Sequence, residues 1–336
     1  MISLVLPALL MGLVGSAYSS DIKHIPIGIV DQDMTPASIS LASRLRTIDT
    51  FHVTEVAFDK EHGENLILNG EVRAIILVPD GFESDLRTGR AIIYVYVDGS
   101  DPIVAEIVTP TLEAIIHDFS PSNQVTVVSD VMFNPGLHYL EFLTPAIVAL
   151  MIQFLPTFLT AIALAGEKEK GTIEQLVVTP IGGLEILLGK MLTYSLIGSY
   201  QAAVALGIAI VVFGLPIRGS LILVAAFLLV FTIASVSVGT LSSVFAKSQI
   251  QAMQQIIPII YISIFLSGVF YPLDSMPVSL RPIAYFIPMT YMNDAMRAII
   301  TKGVGLQVVW RDLVALSIYA FVVMALAVTM FRKRLE

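Results

Sequence analysis

A short segment of alternating charges is the part of this sequence best suited to chemistry with a partner. Residues 166–180 run Gly-Glu-Lys-Glu-Lys-Gly-Thr-Ile-Glu-Gln-Leu-Val-Val-Thr-Pro, directly after a long apolar stretch. Thr172 is a good N-cap, and Glu174 falls in the first helical turn, where the helix dipole favours an acidic group. Pro180 ends the predicted helix, which carries an apolar stripe at i, i+3 and i+4. Such a helix either docks into a groove on a protein or lies in the lipid headgroup layer, and the residues alone favour neither.

Few other residues are arranged for catalysis or for cofactor binding. No G-x-x-x-x-G-K-[ST] motif occurs, and the nearest approach, Gly189-Lys190-Met191, has no Ser or Thr after the lysine. The chain has no cysteine, and its five histidines follow no metal-ligand spacing. Asp31 and Asp33 follow a predicted strand and could hold a cation, although a plain turn is the simpler interpretation. We therefore expect no catalytic residue, no bound metal and no cofactor.

The composition predicts a membrane protein. Of the 336 residues, 56% are apolar and 14% are charged, and the mean hydropathy is +0.82. Soluble proteins carry about 25% charged residues. The charge is unevenly distributed, because residues 21–138 hold 18 acidic and 7 basic side chains. This acidic part has no basic patch of the kind that nucleic-acid binding requires. Nucleic acid is therefore not an expected partner, whereas membrane lipid is.

Hydropathy divides the chain into one short span, a polar region and five longer spans, each span needing about 20 apolar residues. Residues 1–20 hold the first span, which we expect to be incomplete at its N-terminus. A signal peptide is disfavoured there because no basic residue precedes the apolar run. Alternating strand and helix patterns predict a largely parallel α/β domain over 21–138. The region 139–336 holds the other spans, at about 142–165, 187–213, 221–245, 255–271 and 308–331.

The predicted fold class is a polytopic α-helical membrane protein with six spans, the first one short, and an inserted α/β extracytoplasmic domain. The basic end Arg332-Lys333-Arg334 is expected on the cytoplasmic side. Counting back through six spans places residues 21–138 outside and 166–180 inside. Ionisable residues occur only at the ends of the spans, which argues against proton-coupled transport.

A second unusual segment precedes the last span. Residues 272–303 are too apolar for an ordinary loop and too interrupted by proline to cross a bilayer. Within it, Asp294 and Arg297 stand at i and i+3, carry opposite charges and can pair on one helix face. Irregular backbone at membrane depth is tolerated only where it is buried in protein or lines a cavity. We therefore predict a re-entrant outer segment whose notable residues are Tyr271, Pro272, Asp274, Pro277, Asp294 and Arg297.

The sequence resembles the type-2 ABC exporter permeases, and most closely the multidrug-efflux-like subgroup with a large extracytoplasmic domain. The similarity rests on Glu167-Lys-Glu-Lys-Gly-Thr-Ile-Glu-Gln-Leu-Val-Val-Thr-Pro180, on Leu266-Ser-Gly-Val-Phe-Tyr-Pro-Leu-Asp-Ser-Met-Pro277, and on Ile25-Pro-Ile-Gly-Ile-Val-Asp-Gln-Asp33. It implies that 166–180 is the coupling helix, gripped by a separate ABC ATPase subunit. The resemblance assigns this contact to Glu167, Lys168, Glu169, Lys170, Gly171, Thr172 and Glu174.

The resemblance also implies an ATP-driven exporter in the cytoplasmic (inner) membrane, assembled with a second permease that is identical or a similar sister subunit. A membrane-fusion adaptor is a further candidate partner. The apolar span interiors suit hydrophobic or amphipathic cargo, with sparse polar groups at Gln153, Ser199, Gln201 and Gln255. Ser and Thr in spans more often bond to their own or a neighbouring helix. The alternative is a receptor or scaffold whose outer domain binds a ligand or adaptor, and five further spans count against it.

Overall fold

The computed structural model describes residues 24–57, 59–120, 125–171, 183–269 and 281–335, together with Leu273 and Met276. The predicted first span and most of the predicted coupling helix lie outside these residues. The described residues form two compact units. Residues up to Phe142, with Met276, belong to a sheet unit, and the others belong to a helical unit.

The sheet unit contains a five-stranded sheet whose strands coincide closely with the β-patterned segments of the sequence. Their order across the sheet is β2-β1-β3-β4-β5. The bounds are β1 Ile25–Asp31, β2 Phe51–Ala57, β3 Ala74–Val78, β4 Ala91–Asp98 and β5 Val125–Met132. Strand β3 is buried along its whole length, as expected for a central strand covered on both faces.

One pairing departs from the parallel pattern, because β3 and β4 are antiparallel while the other three pairs are parallel. The connection between them contains a short helix, α3, Phe82–Thr88, which the sequence patterns did not indicate. The connection, residues 79–90, lies at the lower limit of about a dozen residues that a parallel crossover needs, and its helix has seven residues. An antiparallel return is the arrangement that so short a connection permits most readily.

Helices cover the sheet and bury its apolar residues in two clusters. The other helices of this unit are α1 Pro36–Arg46, α2 Lys60–Leu68 and α4 Pro102–Phe119. The larger cluster packs the β1, β3 and β4 side chains against α1 and α4, with Leu41, Phe82 and Leu112 almost fully buried. The smaller cluster packs the other face of β1 and β3 against Leu66 and Ile67 of α2.

The helical unit contains long apolar helices of the length that a bilayer requires. Among the described residues, five helices are long and apolar enough to cross a membrane. They are α5 Tyr139–Glu169, α6 Gly183–Val211, α7 Leu221–Phe245, α8 Gln249–Leu266 and α11 Leu306–Leu335. Large apolar side chains are exposed along them, as at Val211 and Ile222, which is the surface expected to face lipid.

Between α8 and α11 the chain forms short helices instead of another span. These are α9 Arg281–Ala284, α10 Pro288–Arg297 and a π-helical turn, Ala298–Lys302. Met289, Met292 and Ile299 are fully buried there. Proline at the start of α10 fits the N-terminal position that tolerates it. Ile283, Tyr285 and Phe286 are exposed, so the burial applies to α10 and the π-helical turn and not to these three residues. The re-entrant placement of the segment stays a prediction.

Candidate functional site

The end of α5 carries the run of charges that the sequence singled out. The helix ends at Glu169, two residues before Gly171, whose φ of +70° lies in the left-handed region that favours glycine at a helix C-terminus. The backbone N–H of Gly171 donates to the Lys168 carbonyl at 3.2 Å. The four charged side chains therefore occupy consecutive positions on the last turn of a helix or directly after it.

Lys168 binds the end of a neighbouring helix. Its Nζ donates to the carbonyl oxygens of Val244 at 3.1 Å and of Ala246 at 2.7 Å. These carbonyls lie at the C-terminus of α7, where helix carbonyls lack partners and the helix dipole is negative. The ammonium group of Lys168 therefore caps α7.

Glu169 binds the start of the next helix. Its Oε2 accepts a hydrogen bond from the backbone N–H of Gln249 at 3.0 Å. Gln249 is the first residue of α8, which is also capped by Ser248 through the N–H of Gln251 at 3.2 Å. A carboxylate at a helix N-terminus satisfies an otherwise orphan donor and is favoured by the dipole.

The other two charges differ from each other in their surroundings. Glu167 forms an ion pair with Lys190 on α6, and both side chains are partly buried. Lys170 is exposed, and its side chain contacts no partner in the described part of the chain. Thr172 and Glu174 lie outside the described residues. We call the side chains of Glu167, Lys168, Glu169 and Lys190, together with the backbone groups of Val244, Ala246 and Gln249 that they bind, the charged junction.

A cavity of about 550 Å³ lies on the surface of the helical unit, on the same helices. Its wall is almost wholly apolar, and Gln201 of α6 is the amide that reaches it. The Gln201 Nε2 donates to the Met151 carbonyl at 3.3 Å, while its buried Oε1 has no partner among the described residues. The lining residues are Leu150, Met151, Phe154, Leu155, Phe158, Gln201, Ile257, Ile260, Tyr261 and Ile264.

The other predicted substrate-path residues do not line this cavity. Gln153 is buried and its Nε2 donates to the Ser263 Oγ at 2.9 Å, which joins α5 to α8. Gln255 accepts a hydrogen bond from the Ser242 Oγ at 3.1 Å. The Ser199 Oγ is buried without a partner among the described residues. Of the four predicted substrate-path residues, Gln201 is therefore the one that lines the cavity.

Of the predicted re-entrant residues, Asp294 and Arg297 are described, and Tyr271, Pro272, Asp274 and Pro277 lie outside the described residues. The Arg297 guanidinium donates to the Val269 carbonyl at 3.1 Å. The buried Asn293, which sequence reasoning missed, donates to the Ser267 carbonyl at 3.2 Å. No local pattern in the sequence distinguishes this amide from a surface one.

The two carboxylates proposed for a cation are occupied by hydrogen-bond donors. Asp31 Oδ1 accepts from the backbone N–H groups of Asp33 and Met34 at 3.1 and 3.0 Å. Asp33 accepts from the N–H groups of Gly81 and Glu83, at the start of α3, at 2.9 and 3.1 Å. The turn interpretation accounts for both residues. In the described ranges, no group of three or more His, Asp or Glu side chains is placed to hold a metal ion.

Long apolar helices, buried irregular helices between two of them and an apolar cavity define an integral membrane protein of the transporter class. The chain belongs to the ABC-2 family of transporter proteins, whose family model matches residues 1–329. The permease role expected from the sequence is thereby confirmed. ATP hydrolysis in these systems is carried out by a separate subunit.

Two relatives from Escherichia coli (strain K12) match most of the chain. The one named "Probable multidrug ABC transporter permease YbhR" is 27% identical over 344 residues, which cover 98% of this chain and 93% of the relative. The one named "Probable multidrug ABC transporter permease YbhS" is 25% identical over 318 residues, covering 90% and 84%. In Dictyostelium discoideum, "ABC transporter G family member 20" is 29% identical over 201 residues, which are 59% of this chain and 28% of that protein.

Proposed function

We propose that this chain is one permease of an ATP-driven exporter that moves hydrophobic or amphipathic, drug-like molecules out across the inner membrane. The observation that carries the proposal is the apolar cavity on α5, α6 and α8, whose wall carries one amide among apolar and aromatic side chains. Such a wall binds molecules through apolar burial and offers few polar groups for specificity. Both Escherichia coli relatives carry "multidrug" in their names.

The proposed topology has six spans, with the α/β domain of residues 21–138 inserted outside after the first. The charged junction then lies at the cytoplasmic face, together with the C-terminal Arg332-Lys333-Arg334. The chain contains no cysteine, so single introduced cysteines report their own side of the membrane. We expect Asp130→Cys to react with a membrane-impermeant maleimide in intact spheroplasts and Lys247→Cys to react only after permeabilisation. The reverse labelling pattern would overturn this topology.

The segment 166–180 is proposed as the coupling helix for an ABC ATPase subunit. Within it, Lys170 is exposed and its side chain contacts no partner in the described part of the chain, and Thr172 and Glu174 follow it in the sequence. Tagged chain purified from its native membrane should carry vanadate-sensitive ATP hydrolysis with it. Lys170→Glu combined with Glu174→Lys should remove that activity from the purified material. The control is Arg90→Glu, a charge reversal at an exposed position of the sheet unit. Hydrolysis that survives the double reversal would contradict the docking role.

A second permease is proposed to face the cavity, whose residues Met151, Phe154 and Tyr261 are more than a third exposed. The exposed face of α5 that carries Met151 and Phe154 would then lie near the same helix of the other permease. Oxidation of the Met151→Cys variant should produce a cross-linked dimer, whereas Ile222→Cys on α7, which is 84% exposed, should not. Equal cross-linking of the two variants would contradict this arrangement, and a dimer with a different sister chain would identify a heterodimer. The acidic outer domain is the proposed contact of a membrane-fusion adaptor.

A further inference from the structure

We propose that Glu167, Lys168 and Glu169 form a tether that passes movement of the coupling segment to all the helices that line the cavity. This inference rests on the proposed function and assigns these three side chains a role inside the permease. They act as positioning residues, because their contacts in the described structure are with other helices of the same chain.

The three consecutive residues reach three different helices. Glu167 pairs with Lys190 on α6, Lys168 binds the last carbonyls of α7, and Glu169 binds the first N–H of α8. Successive residues of an α-helix point about 100° apart, so three in a row radiate from the helix in three directions. The last turn of α5 is thus connected by charged side chains to α6, α7 and α8.

The order of the charges matches the polarity of the helices that they bind. Lys168 meets the negative end of α7, and Glu169 meets the positive end of α8. The turn between these ends, 246–248, is too short to move independently of either helix. Exchanging the two charges would place like signs together at both ends.

Close packing beside the tether makes it suitable for transmitting a displacement. Ala161 and Ala165 of α5 pack against Ala246, Ala252 and Ile256, all of them fully buried. A Cβ on Gly166 would lie 2.5 Å from the Gln249 Nε2, which shows how closely α5 approaches the start of α8. A contiguous packed and hydrogen-bonded network of this kind is the physical means by which coupling travels between sites.

The same helices form the cavity wall further along their length. Met151 and Phe154 lie on α5, Ile260 and Tyr261 lie on α8, and Gln201 lies on α6. A pull on the segment after α5 would therefore reach both walls of the cavity together. Without the tether, the apolar packing of α5 against α8 would remain, but the charged contacts to α6, α7 and α8 would be lost.

The test follows α8 directly and needs no known cargo. Met253 on α8 is 38% exposed, so a label attached there is accessible. The Met253→Cys variant is purified together with its ATPase and labelled with the fluorophore bimane. Trapping with ATP and vanadate should change the bimane fluorescence. In the variant Lys168→Met with Glu169→Ala, the amplitude of this change should fall about fivefold or more, while vanadate-sensitive ATP hydrolysis still co-purifies.

The matched control is Lys247→Met, which removes an exposed lysine from the same turn without touching the tether. It should leave the amplitude unchanged. Lys168→Arg retains donors for the two carbonyls and should restore most of the amplitude, which a general loss of stability would not allow. If the double variant does not fold, Lys168→Met and Glu169→Ala are measured singly, and each should lower the amplitude.

The outcomes separate this inference from the proposed function. A full fluorescence change in the double variant, or no change in the wild-type complex, would overturn the tether. Absence of any co-purifying ATP hydrolysis from the wild-type chain would instead overturn the proposed function.

Discussion

At one end of α6 and α7 the neighbouring helices are joined by charged side chains, and at the other end backbone is packed directly on backbone. The first end is the charged junction, where Lys168 and Glu169 reach across to α7 and α8. At the second end, the 214–219 connection lies against the π-helical turn, and the Arg218 N–H donates to the Ile300 carbonyl at 3.0 Å. Long side chains can follow a moving partner, whereas packed backbone cannot. The difference suggests that the charged end is the end that moves during transport.

The largest loss of thermal stability is expected from a substitution at Gly219, which lies at the end where backbone packs on backbone (the backbone-packed end). A Cβ on this residue would lie 2.4 Å from the Ile299 carbonyl oxygen, which is backbone and cannot rotate away. Overpacking of this kind costs about 1–3 kcal/mol. Gly219→Ala should therefore lower the thermal unfolding temperature of the purified chain, as measured by intrinsic fluorescence in mild detergent.

The control for this change is Gly207→Ala within α6. A Cβ there meets no atom within 4 Å, and alanine is favoured over glycine in a helix by roughly 1 kcal/mol. Gly207→Ala should leave the unfolding temperature unchanged or raise it. Equal destabilisation by both changes would show that the close approach of 219 and 299 is unimportant.

A smaller effect is expected from the ion pair of the charged junction. Glu167→Lys places two like charges together beside α6, and Glu167→Lys with Lys190→Glu restores opposite charges in exchanged positions. Ion pairs that water reaches contribute up to about 1 kcal/mol and are screened by salt. A double-mutant cycle of unfolding temperatures should therefore show a coupling that shrinks as sodium chloride is raised. A coupling that is absent at low salt would remove Glu167 from the tether.

The sequence located the charged residues of this junction but not their contacts. The strands, the long helices and the charged run at 167–170 follow from local patterns of hydropathy and spacing, so sequence reasoning reached them. Which of the four charges faces inward depends on the rotation of α5 relative to α6, α7 and α8. The short helix α3 and the antiparallel β3–β4 pair were missed because a seven-residue amphipathic helix gives little periodic signal. Contacts such as Gly219 with Ile299 join residues far apart in the chain, and no local pattern marks them.

The smallest change in unfolding temperature is expected for a substitution at Gly166, whose close neighbour is a side chain, whereas that of Gly219 is backbone. A Cβ on Gly166 would also lie very close to a neighbour, 2.5 Å from the Gln249 Nε2, but that atom is the end of a flexible side chain. The Gln249 amide can rotate away, and the gain in helix propensity, up to about 1 kcal/mol, offsets the displacement. Gly166→Ala should therefore shift the unfolding temperature far less than Gly219→Ala in the same assay. Because the two glycines face gaps of nearly equal size, a comparable loss at both would show that the charged end is as rigid as the backbone-packed end. Such rigidity would contradict the view that side-chain contacts leave the charged end able to move.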